Sequence, residues 1–98
     1  MTIASDQQAL CAEWHAARFP DHDRWLILAK ATEELGELAR AMIAEHEDRP
    51  GRGHISQEGA QVVLVLLSLF GRYYPDIDLL SEVRAEYLRL EGRRHLLS

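Results

Sequence analysis

Cysteine and lysine are almost missing from this 98-residue chain. Cys11 is its single cysteine, so no intrachain disulfide can form and no cysteine cluster of zinc-finger kind can assemble. A reducing, cytoplasmic setting is expected. Lys30 is the single lysine, beside ten arginines. Basic runs are absent too. The formal charge is −5 and the pI about 5.4, whereas nucleic-acid binding rests on clustered positive charge, so neither DNA nor RNA is expected as a partner. The longest apolar run, Val62 to Leu67, has only Ser68 between it and Leu69 and Phe70, far short of the ~20 residues that span a bilayer. No membrane partner is expected. Residues 1 to 20 lack a basic start followed by an apolar block, so no signal peptide is expected either. Period-2 alternation, internal repeats and low-complexity tracts are likewise missing, which leaves no candidate strand and no solenoid.

What remains is the balance of a globular domain: 47% hydrophobic and 28% charged residues, too apolar for disorder. A chain of this size buries roughly 60 to 65% of its unfolded surface, enough for one domain over residues 1–98. Turn-forming clusters at Phe19 to Asp23, Asp48 to Gly53 and Gly71 to Asp78 divide it into four segments, and each predicts a helix. Ser5-Asp6-Gln7-Gln8 is a Ser-x-x-Gln capping box opening the first, which carries Leu10, Trp14 and Ala17 on one side and stops at Pro20. The second starts from an Asp21 or Asp23 cap and places Trp25, Leu28, Thr32, Leu35, Ala39 and Met42 at steps of three and four. These six fall in a sector of roughly 100°, read as the core stripe, with Lys30, Glu34 and Glu37 within about 60° of one another on the other side. The third, Ser56 to Phe70 with Gly71 as its stop, is apolar all round from Val62 onward except at Ser68. Such a helix needs neighbours on every side, and a 98-residue chain can hardly supply them, so a second subunit is expected. The fourth, capped by Asp76 or Asp78, aligns Leu79, Leu80, Val83, Tyr87 and Leu90 on one face as far as Gly92, after which the last residues should fray.

The chemistry concentrates at the second and third helices. Residues three apart share a helix face, so Glu34 with Glu37 forms one two-oxygen claw and Glu58 with Gln61 a second. Two claws on neighbouring helices can hold a hard divalent cation, and Mg²⁺ suits oxygen ligands shared with substrate phosphates. Lys30, four residues before Glu34, suits an ordinary i, i+4 salt bridge or a grip on phosphate. Arg49 and Arg52 suit ordinary loop charges or a reach to substrate phosphates. The five histidines show no His-x-x-x-His spacing and read as surface or satisfied residues. Trp14 and Trp25 read as core or interface anchors, nucleobase stacking being the less common use.

At these residues the chain resembles the all-α nucleoside triphosphate pyrophosphohydrolases, the MazG-like superfamily, whose motif is Glu-Glu-x-x-Glu, a gap, then Glu-x-x-Asp. Here it reads Glu33-Glu34-Leu35-Gly36-Glu37, 20 intervening residues, then Glu58-Gly59-Ala60-Gln61. The first half matches in full, with Leu38-Ala39 following. The second departs at Gln61, where the family has Asp. The resemblance spans most of the chain and implies an all-α, four-helix fold whose bundle core is completed by a second subunit, as a homodimer or a dimer of dimers. It implies Glu34, Glu37 and Glu58 as Mg²⁺ ligands, with Mn²⁺ a possible substitute, Gln61 in the fourth ligand's place and Glu33 polarising the attacking water. The implied reaction is hydrolysis of a (deoxy)nucleoside triphosphate to the monophosphate and pyrophosphate, with house-cleaning of nucleotides as its purpose. The alternative is a catalytically impaired relative that binds a nucleotide or a protein partner.

Overall fold

A computed structural model of the chain describes the backbone of residues 3–47 and 54–97 and the side chains of 6–47 and 54–93. Four helices account for it: α1 (Ile3–Arg18), α2 (Arg24–His46), α3 (Ile55–Tyr73) and α4 (Leu79–Leu97). No strand occurs among the described residues. Nor is any described helix long and apolar enough to cross a membrane.

Local chemistry sets two of the starts. The Asp23 carboxylate accepts a hydrogen bond from the Leu26 N–H at 2.8 Å, and Asp78 does the same for Ser81 at 3.2 Å, each satisfying a donor the first turn leaves free. The other ends differ from the sequence expectations. The first helix is already formed at Ile3, so Ser5 does not open it. Gln8 caps a different helix: its Oε1 accepts from the Leu79 N–H at 2.9 Å and its Nε2 donates to the Ile77 carbonyl at 2.7 Å. The third starts at Ile55 after His54, without a side-chain cap, and runs through Gly71 to Tyr73. The fourth continues through Gly92 to Leu97 instead of ending there.

By contact the helices follow the order α2, α3, α1, α4: α3 packs on both α1 and α2, and α4 leans mainly on α1. The α1–α3 seam is tight because its residues are small. A Cβ at Gly71 would lie 2.6 Å from the Ala12 Cβ and 2.7 Å from the Gln8 carbonyl oxygen, so only glycine permits this approach. Beside it Ser68 is fully buried, its hydroxyl 2.8 Å from the Leu64 carbonyl and 3.1 Å from that of Cys11, so its polar atom is satisfied at the interface. Burial pushes the neighbouring Cys11 thiol above its ordinary value.

The expected core stripes are misplaced. On α2, the helix turns Ile27 (0% exposed), Ala31 and Ala41 inward, with Lys30, Glu34, Glu37 and Leu38 half-buried among them. Trp25, Leu28, Leu35 and Met42 lie on the open side, as do Thr32 and Ala39. On α1, Gln8 and His15 are buried while Leu10, Trp14 and Ala17 are exposed. On α4, Val83, Tyr87 and Leu90 are exposed and only Leu79 and Leu80 are half-covered. On α3, Leu67, Ser68 and Leu69 are buried and Val63 is 48% exposed, so the single chain does not enclose this helix. One cause serves α1, α2 and α4. Periodicity tells which residues avoid water but not which neighbour covers them, and α2 in particular carries two apolar sets at steps of three and four.

Candidate metal centre

The α2–α3 pairing brings the two claws together. Glu34 and Glu37 from α2 and Glu58 from α3 are all half-buried, and one carboxylate oxygen from each lies within 4.8 Å of the other two. Gln61 completes the group. With its amide nitrogen turned toward the acids, it donates to Glu34 Oε2 at 2.9 Å and to Glu58 Oε2 at 3.3 Å, the orientation the network demands since carboxylates only accept. Three carboxylates so close repel one another. Burial, then Glu37 and Glu58, push the Glu34 carboxyl above its ordinary value, with Lys30 opposing them. A group of hard oxygen donors carrying unrelieved negative charge fits Mg²⁺ or Mn²⁺.

Glu33 and Lys30 border the triad. Lys30 pairs with Glu33 at 3.3 Å, one step off the i, i+4 pairing with Glu34 that its position suggests, and both side chains are partly solvent-exposed. Such a pair is worth only a few tenths of a kcal/mol, so it exchanges partners easily. Arg49 and Arg52 lie outside the described residues.

Next to the triad is a cavity of about 390 Å³ walled by Trp14, His15, Phe19 and His22 on one side and by Lys30, Glu34, Gln61 and Leu64 on the other. The aromatic wall is ordered by neighbours. Phe19 meets Trp14 edge-on at 6.2 Å and stacks on His22 at 4.8 Å. Arg72 fastens the turn, its Nη1 donating to the Phe19 carbonyl at 3.0 Å and contacting His15 Nδ1 at 2.9 Å. The Tyr73 hydroxyl donates to the His22 carbonyl at 3.0 Å. Because a guanidinium can only donate, His15 Nδ1 is the acceptor and the imidazole is neutral with its proton on Nε2. Burial first, then the charge of Arg72 and the nearby His22, hold His15 below the ordinary histidine value. The Nδ1 of His22 is buried with no hydrogen-bond partner.

The four metal-site residues of the sequence reading therefore meet, with Glu33 and Lys30 at their edge. Missing from that reading were His15, Phe19, His22 and Arg72. Their partners lie more than fifty residues away in the chain, and spacing rules reach only one helical turn. No protein-family model, curated protein or solved structure matches this chain.

Proposed function

We propose that this chain is a MazG-like, Mg²⁺-dependent nucleotide pyrophosphohydrolase, with Mn²⁺ a substitute, that converts (deoxy)nucleoside triphosphates to monophosphate and pyrophosphate and works as a homodimer or a dimer of dimers. The observation that carries this reading is the convergence of Glu34, Glu37 and Glu58 beside a cavity whose far wall is aromatic. One end of that space suits a cation and its phosphates, and the other a flat ring.

Glu34, Glu37 and Glu58 would hold the cation, and Gln61 would offer its carbonyl as a further oxygen donor or keep the carboxylates in place through its amide. Bound Mg²⁺ supplies charge neutralisation of the phosphates. Lys30 lets go of Glu33 when a triphosphate arrives, because a phosphate is the stronger anion, and the freed Glu33 carboxylate polarises a water toward the α-phosphorus and accepts the proton that water loses on attack. The water's oxygen forms the new P–O bond, the α–β bridge breaks, and pyrophosphate leaves with the bridging oxygen. Protein incubated with a nucleotide panel and Mg²⁺ or Mn²⁺ should release pyrophosphate, and silence across the panel would refute the enzyme.

A second reading rests on Gln61. Its amide already satisfies Glu34 and Glu58 without any cation, as suits a chain that keeps the fold and binds a nucleotide or a partner protein without turnover. Gln61→Asp separates the two. In an enzyme limited by this ligand, the substitution tightens Mg²⁺ binding and raises pyrophosphate release. In a non-catalytic protein, calorimetry detects no Mg²⁺ binding that depends on Glu34.

A further inference from the structure

Phe19 and His22 reach the cavity from the turn between α1 and α2, and two side chains of α3 fasten that turn. Tyr73 donates to the His22 carbonyl at 3.0 Å. Arg72 does more: its Nη1 donates to the Phe19 carbonyl at 3.0 Å and to His15 Nδ1 at 2.9 Å, and its Nη2 reaches the Pro20 carbonyl at 3.5 Å. One planar fork thus ties the last turn of α1 to the two residues that open the turn. His15 is buried and packs on the rings of Phe19 at 5.1 Å and His22 at 5.5 Å. Against these ties stands a cost. The buried Nδ1 of His22 has no hydrogen-bond partner, and its lost hydration stays unrepaid while the turn is closed.

We infer that Arg72 is the positioning residue of the aromatic wall, and that it holds the Phe19–His22 turn against the cavity only while the His15 imidazole is neutral. The neutral ring offers a lone pair at Nδ1, whereas the protonated ring presents an N–H there. Two donors and two like charges would then meet at hydrogen-bond distance with no acceptor between them. Arg72 must swing away, and because the same guanidinium serves Phe19 and Pro20, both carbonyls lose it together. The turn keeps Tyr73 but loses its other tie to α3, and Phe19 and His22 withdraw from the wall. Burial first, then Arg72 from α3 and His22 from the turn, hold His15 below the ordinary value of 6.5. The wall is therefore closed above that pH and opens as pH falls below it. Lys30 and Glu34 of α2 stand on the opposite wall. The charges acting on Glu34 are those of Glu37, Glu58, Lys30 and Glu33, so the opening is separate from titration of the acids. Where the cavity takes a nucleobase, as the functional reading has it, the same event weakens binding at the ring end and leaves the cation end assembled.

NMR of the nitrogen-15-labelled full chain tests this without turnover, so a nucleotide panel that refutes the enzyme leaves it standing. At neutral pH the His15 ring should be the Nε2–H tautomer. On acidification from about pH 7.5 to 5, its protonation should move the Phe19 and His22 amide signals in the same step, while the amide of Ala41, buried on α2, stays in place. In His15→Gln, whose side-chain carbonyl still accepts from Arg72, the two amides should not titrate. Arg72→Lys keeps the charge but not the fork, so it should show the open-turn shifts already at pH 7, with helical circular dichroism unchanged. Any of four results would overturn the inference: a His15 ring that stays neutral until the helices melt, Phe19 and His22 amides that ignore its protonation, the same amide titration in His15→Gln, or an Arg72→Lys turn with wild-type shifts. Should Arg72→Lys fail to fold, the wild-type and His15→Gln titrations decide alone.

Discussion

The two sides of α2 both carry apolar residues at steps of three and four, yet they face different surroundings. Toward α3 the helix presents Ile27, Ala31 and Ala41, buried, with Glu34 and Glu37 set among them and half-covered. Away from it the helix presents Trp25, Leu28, Leu35 and Met42, larger and largely in water. The side with more apolar area is not the one the chain uses for its own core. Small residues let α2 come close to α3, and closeness is what brings Glu58 and Gln61 within reach of Glu34. Acids between small apolar residues gather at the α2–α3 seam, whereas the large apolar residues without acids lie in the open.

The largest effect should come from the acids. Glu34→Gln or Glu37→Gln keeps size and helix propensity while removing a ligand charge, and pyrophosphate release should fall about 1,000-fold, equivalent to about 4 kcal/mol of transition-state stabilisation. Thermal stability of the metal-free Glu34→Gln protein should hold or rise, since Glu37 and Glu58 then face a neutral neighbour. A fully active Glu34→Gln enzyme would erase the functional half of the contrast.

Next come paired truncations on the two sides. Ile27→Ala empties a fully buried position and should cost about 2–5 kcal/mol in urea unfolding, independent of protein concentration once corrected for association. Leu28→Ala, its neighbour on the open side, should cost far less in the same measurement, because residue 28 is already exposed and its truncation leaves no closed cavity. Equal losses at both positions would break the comparison.

Much of this was legible in the sequence, and the boundary is physical. Four helices, an Asp21 or Asp23 cap and the two acid claws depend on residues within a turn of one another; the four helices form with several ends shifted, Asp23 is the cap, and the claws meet. Which side of α2 faces inward was not legible, because Ile27, Ala31, Leu38 and Ala41 follow the same three-and-four rhythm as Trp25 through Met42, and the larger residues won the sequence argument. Gln8 read as the cap of its own helix because Ser5 stands three residues before it. Its real partners, Ile77 and Leu79, are set by how α1 and α4 meet. The aromatic wall was invisible for the same reason: Arg72 joins His15 and the turn only once α1 and α3 cross.

That crossing gives a smaller prediction. Gly71→Ala places a methyl 2.6 Å from the Ala12 Cβ and 2.7 Å from the Gln8 carbonyl, neither of which is a flexible side-chain end, so α1 and α3 must separate. The cost should be about 1–3 kcal/mol, although alanine is the better helix former. A stabilised Gly71→Ala protein would mean that the α1–α3 seam is looser than its geometry and that α2 alone depends on close approach.

The smallest effect is a pH dependence on the cavity wall opposite the acids of α2. His15 is buried, accepts from Arg72 at Nδ1, and is held below the ordinary value of 6.5 by burial, Arg72 and His22. Above that value the ring is neutral in both folded and unfolded chains, and His15 contributes no pH dependence. As pH falls through it, the unfolded chain takes up a proton that the folded chain refuses, so the unfolded state binds more protons and stability falls with pH. Melting temperature should therefore drop on acidification from pH 7 toward 5. His15→Gln retains an acceptor for Arg72 in its side-chain carbonyl and cannot titrate, so its melting curve should flatten over the same range. The carboxylates oppose this trend: burial, then Glu37 and Glu58, raise Glu34, so the folded chain takes up that proton more readily than the unfolded one and protonating Glu34 stabilises the fold. If His15→Gln keeps the full slope between pH 7 and 5, the guanidinium does not hold the imidazole neutral, and the wall facing the acids is set by Phe19 and Trp14 alone.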